Sequence, residues 1–288
     1  MIYAPIIHSR TYNCDFNAQL AVRPSDYGND DVKSIREYIL AATSGIDFIN
    51  GVRRVVFRHN EDVIAGMVGF LDELRGNDDS DEALCFARDV RQRKTFAFIG
   101  IVIRDMEKYP LPYISKNLLW KIFKDNMLEK WKSKTAFTIS VDFNDYKGDS
   151  YSGGDSNAGF NGWKQAGDLY FTETLSDNQE NILFHSMISK VAEQKAKSFC
   201  SNLDSKEAVK KNKFQYVTVS QSVIKSIESC VNKKNISSTS VTANYITPIN
   251  RGVTYRGRSE KKKVLISMPL IGIILAIIII LLIVRWVL

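Results

Sequence analysis

"KTFAFIGIVIRD", residues 94–105, decides the fold. Its continuous apolar run from Phe96 to Ile103 reads as a central strand covered on both faces. Upstream, "VRRVVFRHNEDVIAGMVGFLDEL" at 52–74 holds two β-rich runs around His59-Asn60-Glu61-Asp62, a polar turn of the length hairpins use. Before it, "NAQLAVRPSDYGNDDVKSIREYILAAT" at 17–43 starts with a short strand through Leu20 and Val22. It turns at Pro24-Ser25-Asp26 and continues as a helix from near Asp31, with Ile35, Tyr38 and Ile39 on one apolar face. Downstream, "ISKNLLWKIFKDNMLEKW" at 114–131 carries Leu118, Leu119, Ile122 and Phe123 at helical spacing, and "TAFTISVDF" at 135–143 reads as another strand. The order predicts an α+β fold with a mixed central sheet flanked by helices.

The connecting stretches are less regular. "RGNDDSDEALCFARDVRQR" at 75–93 reads as a charged, mobile loop, and 144–168 is rich in Gly, Ser and Asp. A short strand is expected in "LYFTETL" at 169–175 and a helix from about Asn181 to Cys200, on Ile182, Leu183, Met187, Ile188 and Val191. "FQYVTVSQSVI" at 214–224 reads as the last strand, and no internal repeat is present.

The far end has a different chemistry. "VLISMPLIGIILAIIIILLIVRWVL" fills 264–288 and is uncharged from Val264 to Val284. At about 1.5 Å per residue that reaches roughly 30 Å, the thickness of a bilayer hydrocarbon core. Lys261, Lys262 and Lys263 precede it, and only Arg285 follows. The positive-inside rule then places the N-terminal part in the cytoplasm, with no signal-peptide pattern near Met1. The expected organisation is a cytosolic domain at 1–230, a flexible Ser/Thr-rich basic stalk at 231–263 and one transmembrane helix at 264–286, a single-pass tail-anchored topology.

The net charge of +7 is concentrated at that junction. Arg251, Arg256, Arg258, Lys261, Lys262, Lys263 and Arg285 against Glu260 put +6 into residues 251–288, leaving about +1 for the rest. The three lysines suit anionic lipid head groups, at about 1 kcal/mol each, and the nucleic-acid reading loses its support. Cys14, Cys85, Cys200 and Cys230 are widely spaced and the chain has three histidines, which suggests reduced thiols and neither a zinc cluster nor a disulfide framework.

From Leu20 to Phe143 the element order and several local words resemble the Gcn5-related N-acyltransferase (GNAT) superfamily. "LAVRPSDYGNDDVKSIREYI" is similar to its opening strand, Arg-Pro turn and first helix. "VVFRHNEDVIAGMVGF" resembles its second hairpin, and "FAFIGIVIRD", the Leu118-Leu119 helix and "TISVDFND" resemble its central strand, donor-binding helix and next strand. The resemblance implies an acyl-coenzyme A donor and transfer to an amine of a small molecule or protein, in a splayed gap between the central strand and the strand after it. It assigns donor binding to the backbone around Ile101 and Ile103 and to Lys108, Tyr113, Ser115 and Lys116. Glu107, Asp105 and Glu73 become candidates to take the amine proton, and Tyr170 or Tyr146 to protonate the leaving thiolate. In "RDMEKYPLPYISKNLL", Pro110 stands in place of the family's basic residue, Tyr113 and Ser115 in place of its small ones, and no glycine is present.

A second class of function is non-catalytic: a tail-anchored sensing or interaction module, longin- or profilin-like, or a membrane-acting effector. The "KYPLPYIS" turn at 108–115 discriminates the two, because an enzyme must present free N–H groups there and an interaction domain fills it with side chains. Arg54 and His59 have the R-x-x-x-x-H spacing of some ribonucleases, but on one strand the match reads as coincidence.

Overall fold

The computed structural model describes residues 1–16, 19–45, 51–106, 110–151 and 162–229. The chain divides into two units, Met1–Val241 and Thr242–Leu288, and every described residue belongs to the first. The expected stalk and transmembrane helix lie outside the described residues, and among those described no helix is long and apolar enough to cross a membrane.

The run of 94–105 is the central strand β5 (Phe96–Arg104), buried from Ala97 to Ile103. It pairs antiparallel on one edge with β4 (Asp62–Phe70) and on the other with β1 (Ile2–Ser9). Among the described residues, eleven strands form one mixed sheet. Beyond β4 come β3 (Arg53–His59), β10 (Ser198–Leu203), β11 (Tyr216–Val219), β9 (Leu169–Glu173) and β8 (Lys164–Ala166). Beyond β1 come β2 (Val22–Pro24) and β6 (Ile139–Val141), with β7 (Asn144–Asp145) also paired to β1. The fold is α+β, as expected.

Side chains alternate across the pleat, so each central strand feeds two cores. Ile7, Val56, Ala65, Met67, Ile99 and Ile101 share the first core with Leu119 and Phe123 of α4 (Lys116–Met127) and Leu183, Phe184 and Met187 of α5 (Asp177–Ala192). Leu71 and Leu74 of α2 (Leu71–Leu74) and Ala83 of α3 (Asp81–Leu84) complete it. Ile6, Val55, Phe57, Ile64, Phe98 and Val102 share the opposite core with Val32, Ile35 and Ile39 of α1 (Asn29–Thr43), Ala208 of α6 (Lys206–Lys210) and Val223 and Ile224 of the helical stretch 221–229. Each such aliphatic side chain removed from water contributes roughly 1.5–3 kcal/mol, which explains why these strands read as unbroken apolar runs.

Several expectations are corrected. The sheet has a strand, β1, that occupies the edge of β5 where the GNAT reading placed a splayed gap; Pro5 opposes Ile101 and Tyr3 opposes Ile103 in an unbroken ladder. Pro5 falls between the β7 partners Ile2 and Tyr3 and the β2 partner Ile7, where the other edge of β1 has no neighbour, the position in which a strand tolerates proline. The helix expected to reach Cys200 ends at Ala192, and Ser198–Leu203 is strand β10. The stretch 75–93, read as a mobile loop, is pinned: Phe86 is fully buried with edge contacts to Trp120, Phe123 and Trp131, and Asp89, also buried, binds Arg93 and Arg10.

Candidate functional site

The chain from β9 onward runs β9–α5–β10–α6–β11, with β9 parallel to β11 and β11 parallel to β10. The helix after β9 packs into the first core and the helical stretch after β11 into the opposite one. Helices leaving neighbouring parallel strands for opposite faces open a crevice at the strands' carboxyl ends, where α/β sheets bind their ligands.

Two adjoining cavities lie at this crevice and beside it, toward α4. One, of about 650 Å³, is lined by first-turn residues of α4 and of α5, together with Arg54, Met67, Glu73 and Tyr113. The other, of about 510 Å³, is lined by Thr174, Glu180, Asn202, Asp204 and Ser220. Gly51, Val52, Arg54 and Asp177 border both.

Local sequence positions these groups. Ser115 caps α4 by accepting the Leu118 N–H at 3.1 Å, and Gln179 reaches back to the Ser176 N–H at the start of α5 at 3.2 Å. The first N–H groups of a helix have no partner within it, so Lys116 and Asn117, both lining the larger cavity, carry donors that α4 itself cannot satisfy. Arg54, 6% exposed, donates its Nη2–H to the Asp177 carboxylate at 2.7 Å, while its buried Nε–H meets no acceptor among the described residues. Hydrogen bonding to Arg54 holds the Asp177 carboxyl below the usual carboxylate range.

The carboxyl groups of the crevice differ. Glu180 is buried and accepts Thr218 Oγ1–H at 2.8 Å and the Leu175 N–H at 3.3 Å through Oε1, with the Ser201 side chain also hydrogen-bonded to its carboxyl group. Burial raises its pKa. Burial, and then the charge of Asp72, likewise raise that of Glu73. Asn202 Oδ1 is a buried atom of the crevice wall without a partner among the described residues.

The "KYPLPYIS" turn, where it is described, is filled. Tyr113 N–H donates to Asp149 O at 2.8 Å, and Ile114 N–H to Nε2 of His185 at 3.0 Å. The His185 Nδ1–H donates to Asn181 O at 2.8 Å, which fixes the neutral tautomer, and burial lowers its pKa. Tyr113 and Tyr151 both lie stacked on its ring.

Of the residues read from the sequence, Glu73, Tyr113, Ser115 and Lys116 meet at the larger cavity. Asp105 and Ile103 line a separate cavity of about 270 Å³ with Arg58 and Arg104. Ile101 is sealed in the core between Pro5 and Ala65. Tyr170 stacks on Tyr216, and Tyr146 donates its hydroxyl to the Tyr113 carbonyl at 3.1 Å. Glu107 and Lys108 lie outside the described residues. Arg54 and His59 face opposite sides of the sheet, His59 being bound to Asp31 of α1, so their spacing carries no joint chemistry. Asp177, Glu180 and Asn202 were not singled out; the one sequence signal for Glu180 is an acid three and four residues ahead of the apolar Leu183 and Phe184, in phase with the buried stripe of α5.

Compared with known protein families, with characterised proteins and with solved structures, the chain matches none.

Proposed function

We propose that this protein is a non-catalytic ligand-binding module, held at the cytoplasmic face of a membrane by its C-terminal segment, that takes a small polar molecule into the crevice between the starts of α4 and α5. The observation that carries the reading is the convergence of Arg54, Glu73, Lys116 and Asp177 on one cavity beside the start of α5, the helix that follows the parallel strand β9. Two facts weigh against transfer chemistry. The edges of β5 are occupied by β1 and β4, leaving no backbone for a thioester, and the N–H groups of Tyr113 and Ile114 are bound internally. The hydropathy of 264–286 and the lysines before it support the anchor and its orientation.

A second reading, a divergent GNAT-like N-acyltransferase, has one observation in its favour: Glu73, Tyr113, Ser115 and Lys116, assigned from that resemblance, line the same cavity. In it, Lys116 and the start of α4 would meet the pyrophosphate of acyl-coenzyme A.

Thermal shift of the full chain in detergent micelles, against inorganic phosphate, nucleosides, nucleoside monophosphates, free amino acids and acetyl-coenzyme A, tests both. A saturable shift that weakens in Lys116→Gln supports a site in this cavity. Release of free coenzyme A from acetyl-coenzyme A in the presence of primary amines would replace the binding module by the transferase, and no shift with any compound would remove both.

A further inference from the structure

Arg54 holds a position that a purely structural arginine does not need. Its side chain is 7% exposed, yet the carboxylate it pairs with, Asp177, is 92% exposed. A buried cation is costly unless an anion accompanies it, and here the accompanying anion sits on the first residue of α5, free to leave into water. The Nε–H of the same guanidinium has no acceptor among the described residues. Around it, first-turn residues of two long helices, Ser115, Lys116 and Asn117 of α4 and Asp177 and Asn178 of α5, border one cavity. Helix starts and Lys116 together supply a positive field there, and Lys116 is near enough to act on both Asp177 and Glu73. Burial raises the pKa of Glu73, the carboxyl group of the same cavity wall.

We propose that the crevice binds a phosphate-bearing small molecule whose phosphate displaces Asp177 from Arg54, with Asp177 acting as the resident competitor of the empty site. This rests on the ligand-binding reading given above and names its ligand class. A phosphate fits better than a single carboxylate, since its three terminal oxygens can meet the Arg54 fork, the Lys116 ammonium and backbone N–H groups of the helix starts at once. The adjoining cavity of about 510 Å³ offers an organic remainder the unpartnered Oδ1 of Asn202 and the Ser220 side chain. That is the polar surrounding of a nucleotide's sugar or base. The same phosphate chemistry comes from inorganic phosphate or from a nucleotide, and the experiment separates them.

The test is calorimetric titration of the full chain in detergent micelles with inorganic phosphate and with adenosine, guanosine, cytidine and uridine monophosphates, for wild type, Asp177→Asn, Arg54→Gln and Lys116→Gln. Removing the competitor makes Asp177→Asn bind tighter by about three- to tenfold, as expected when the binding-competent fraction rises. Arg54→Gln and Lys116→Gln bind at least about tenfold more weakly. Should Arg54→Gln fail to fold, the opposite signs of Asp177→Asn and Lys116→Gln still decide. A nucleotide preferred over inorganic phosphate identifies the organic remainder; equal affinities assign the site to phosphate itself. Binding unchanged or weakened in Asp177→Asn overturns the displacement. A Lys116-dependent thermal shift with an uncharged or zwitterionic compound, and none with any phosphate, overturns the phosphate ligand and leaves the binding module intact.

Discussion

Arg53 and Arg54, consecutive on β3, carry their guanidinium groups to opposite faces of the sheet. Arg53 donates to the carbonyls of Ala42 at 2.5 Å and Ser44 at 2.6 Å, at the end of α1, to the Asn202 carbonyl at 3.2 Å and to Asp204 at 3.1 Å. Arg54 turns toward α5 and Asp177. The pleat thus converts two identical neighbours into a closed structural clamp and an unfinished site.

Replacing the clamp is expected to be severe. Arg53→Met keeps the aliphatic stem but strands the carbonyls of Ala42, Ser44 and Asn202, and should cost about 3 kcal/mol or more. Urea unfolding of the variant checks this, and a loss under about 1 kcal/mol would show that water replaces the guanidinium.

Gly66 and Gly100 face each other across β4 and β5. A Cβ on Gly66 would stand 2.4 Å from the Ile99 carbonyl oxygen and 2.6 Å from the Gly100 Cα, both backbone atoms that cannot swing away. Gly66→Ala should therefore lose about 2–4 kcal/mol, whereas Gly167→Ala, with open space around its Cβ, is limited to the strain of its positive φ of 64°, about 1–2 kcal/mol. Thermal melts of the pair, ranked in that order, are the measurement.

Phe86 ties the acidic segment 75–93 to the core. Phe86→Ala empties the space between Trp120, Phe123 and Trp131 and is expected to cost about 3–5 kcal/mol. Limited trypsin digestion, probing Arg88, Arg91 and Arg93, should cut that segment much faster in the variant; equal rates would return the segment to the status of a free loop.

His8 makes stability depend on pH. It is 3% exposed, stacks on Phe16, and burial with the nearby charge of Arg36 lowers its pKa from 6.5 to about 4. The unfolded chain takes up a proton below about pH 6.5 that the folded one refuses until about pH 4, so stability is full above the first value and falls between the two. The full loss is about 3 kcal/mol. His8→Leu should remove this component from the urea-midpoint profile over that window; a variant profile parallel to that of the wild type would mean that His8 takes up its proton as readily in the folded chain as in the unfolded one.

Much of the architecture was legible where burial on both faces forces an apolar run. β5, the β3–β4 hairpin, α1 and α4 stand where their periodicity places them, with the hairpin closing as the pair His59 and Asp62 and Asn60 at positive φ. β1 was not, because Pro5 interrupts its ladder-forming pattern and its partner strand begins nearly ninety residues later. The start of β10 was hidden because 193–197, Glu-Gln-Lys-Ala-Lys, holds no Gly, Pro, Asn or Asp to mark a turn, and Gln194 at positive φ ends the helix without a glycine. The crevice was half legible. Glu73, Tyr113, Ser115 and Lys116 came from a resemblance, but Arg54, Asp177, Glu180 and Asn202 meet only because β3, α5 and β10 are brought together by the order of the sheet, which no local pattern records.

The seat of β1 has a consequence for association. All eight residues of β1 oppose β5 inside the sheet, so that were this strand to lift away, β5 would present a long apolar edge that the same strand of a second copy would fit equally well. Two chains trading this strand would form a closed pair without any new surface, at a rate set by how often the middle of the sheet opens rather than by how often the molecules collide.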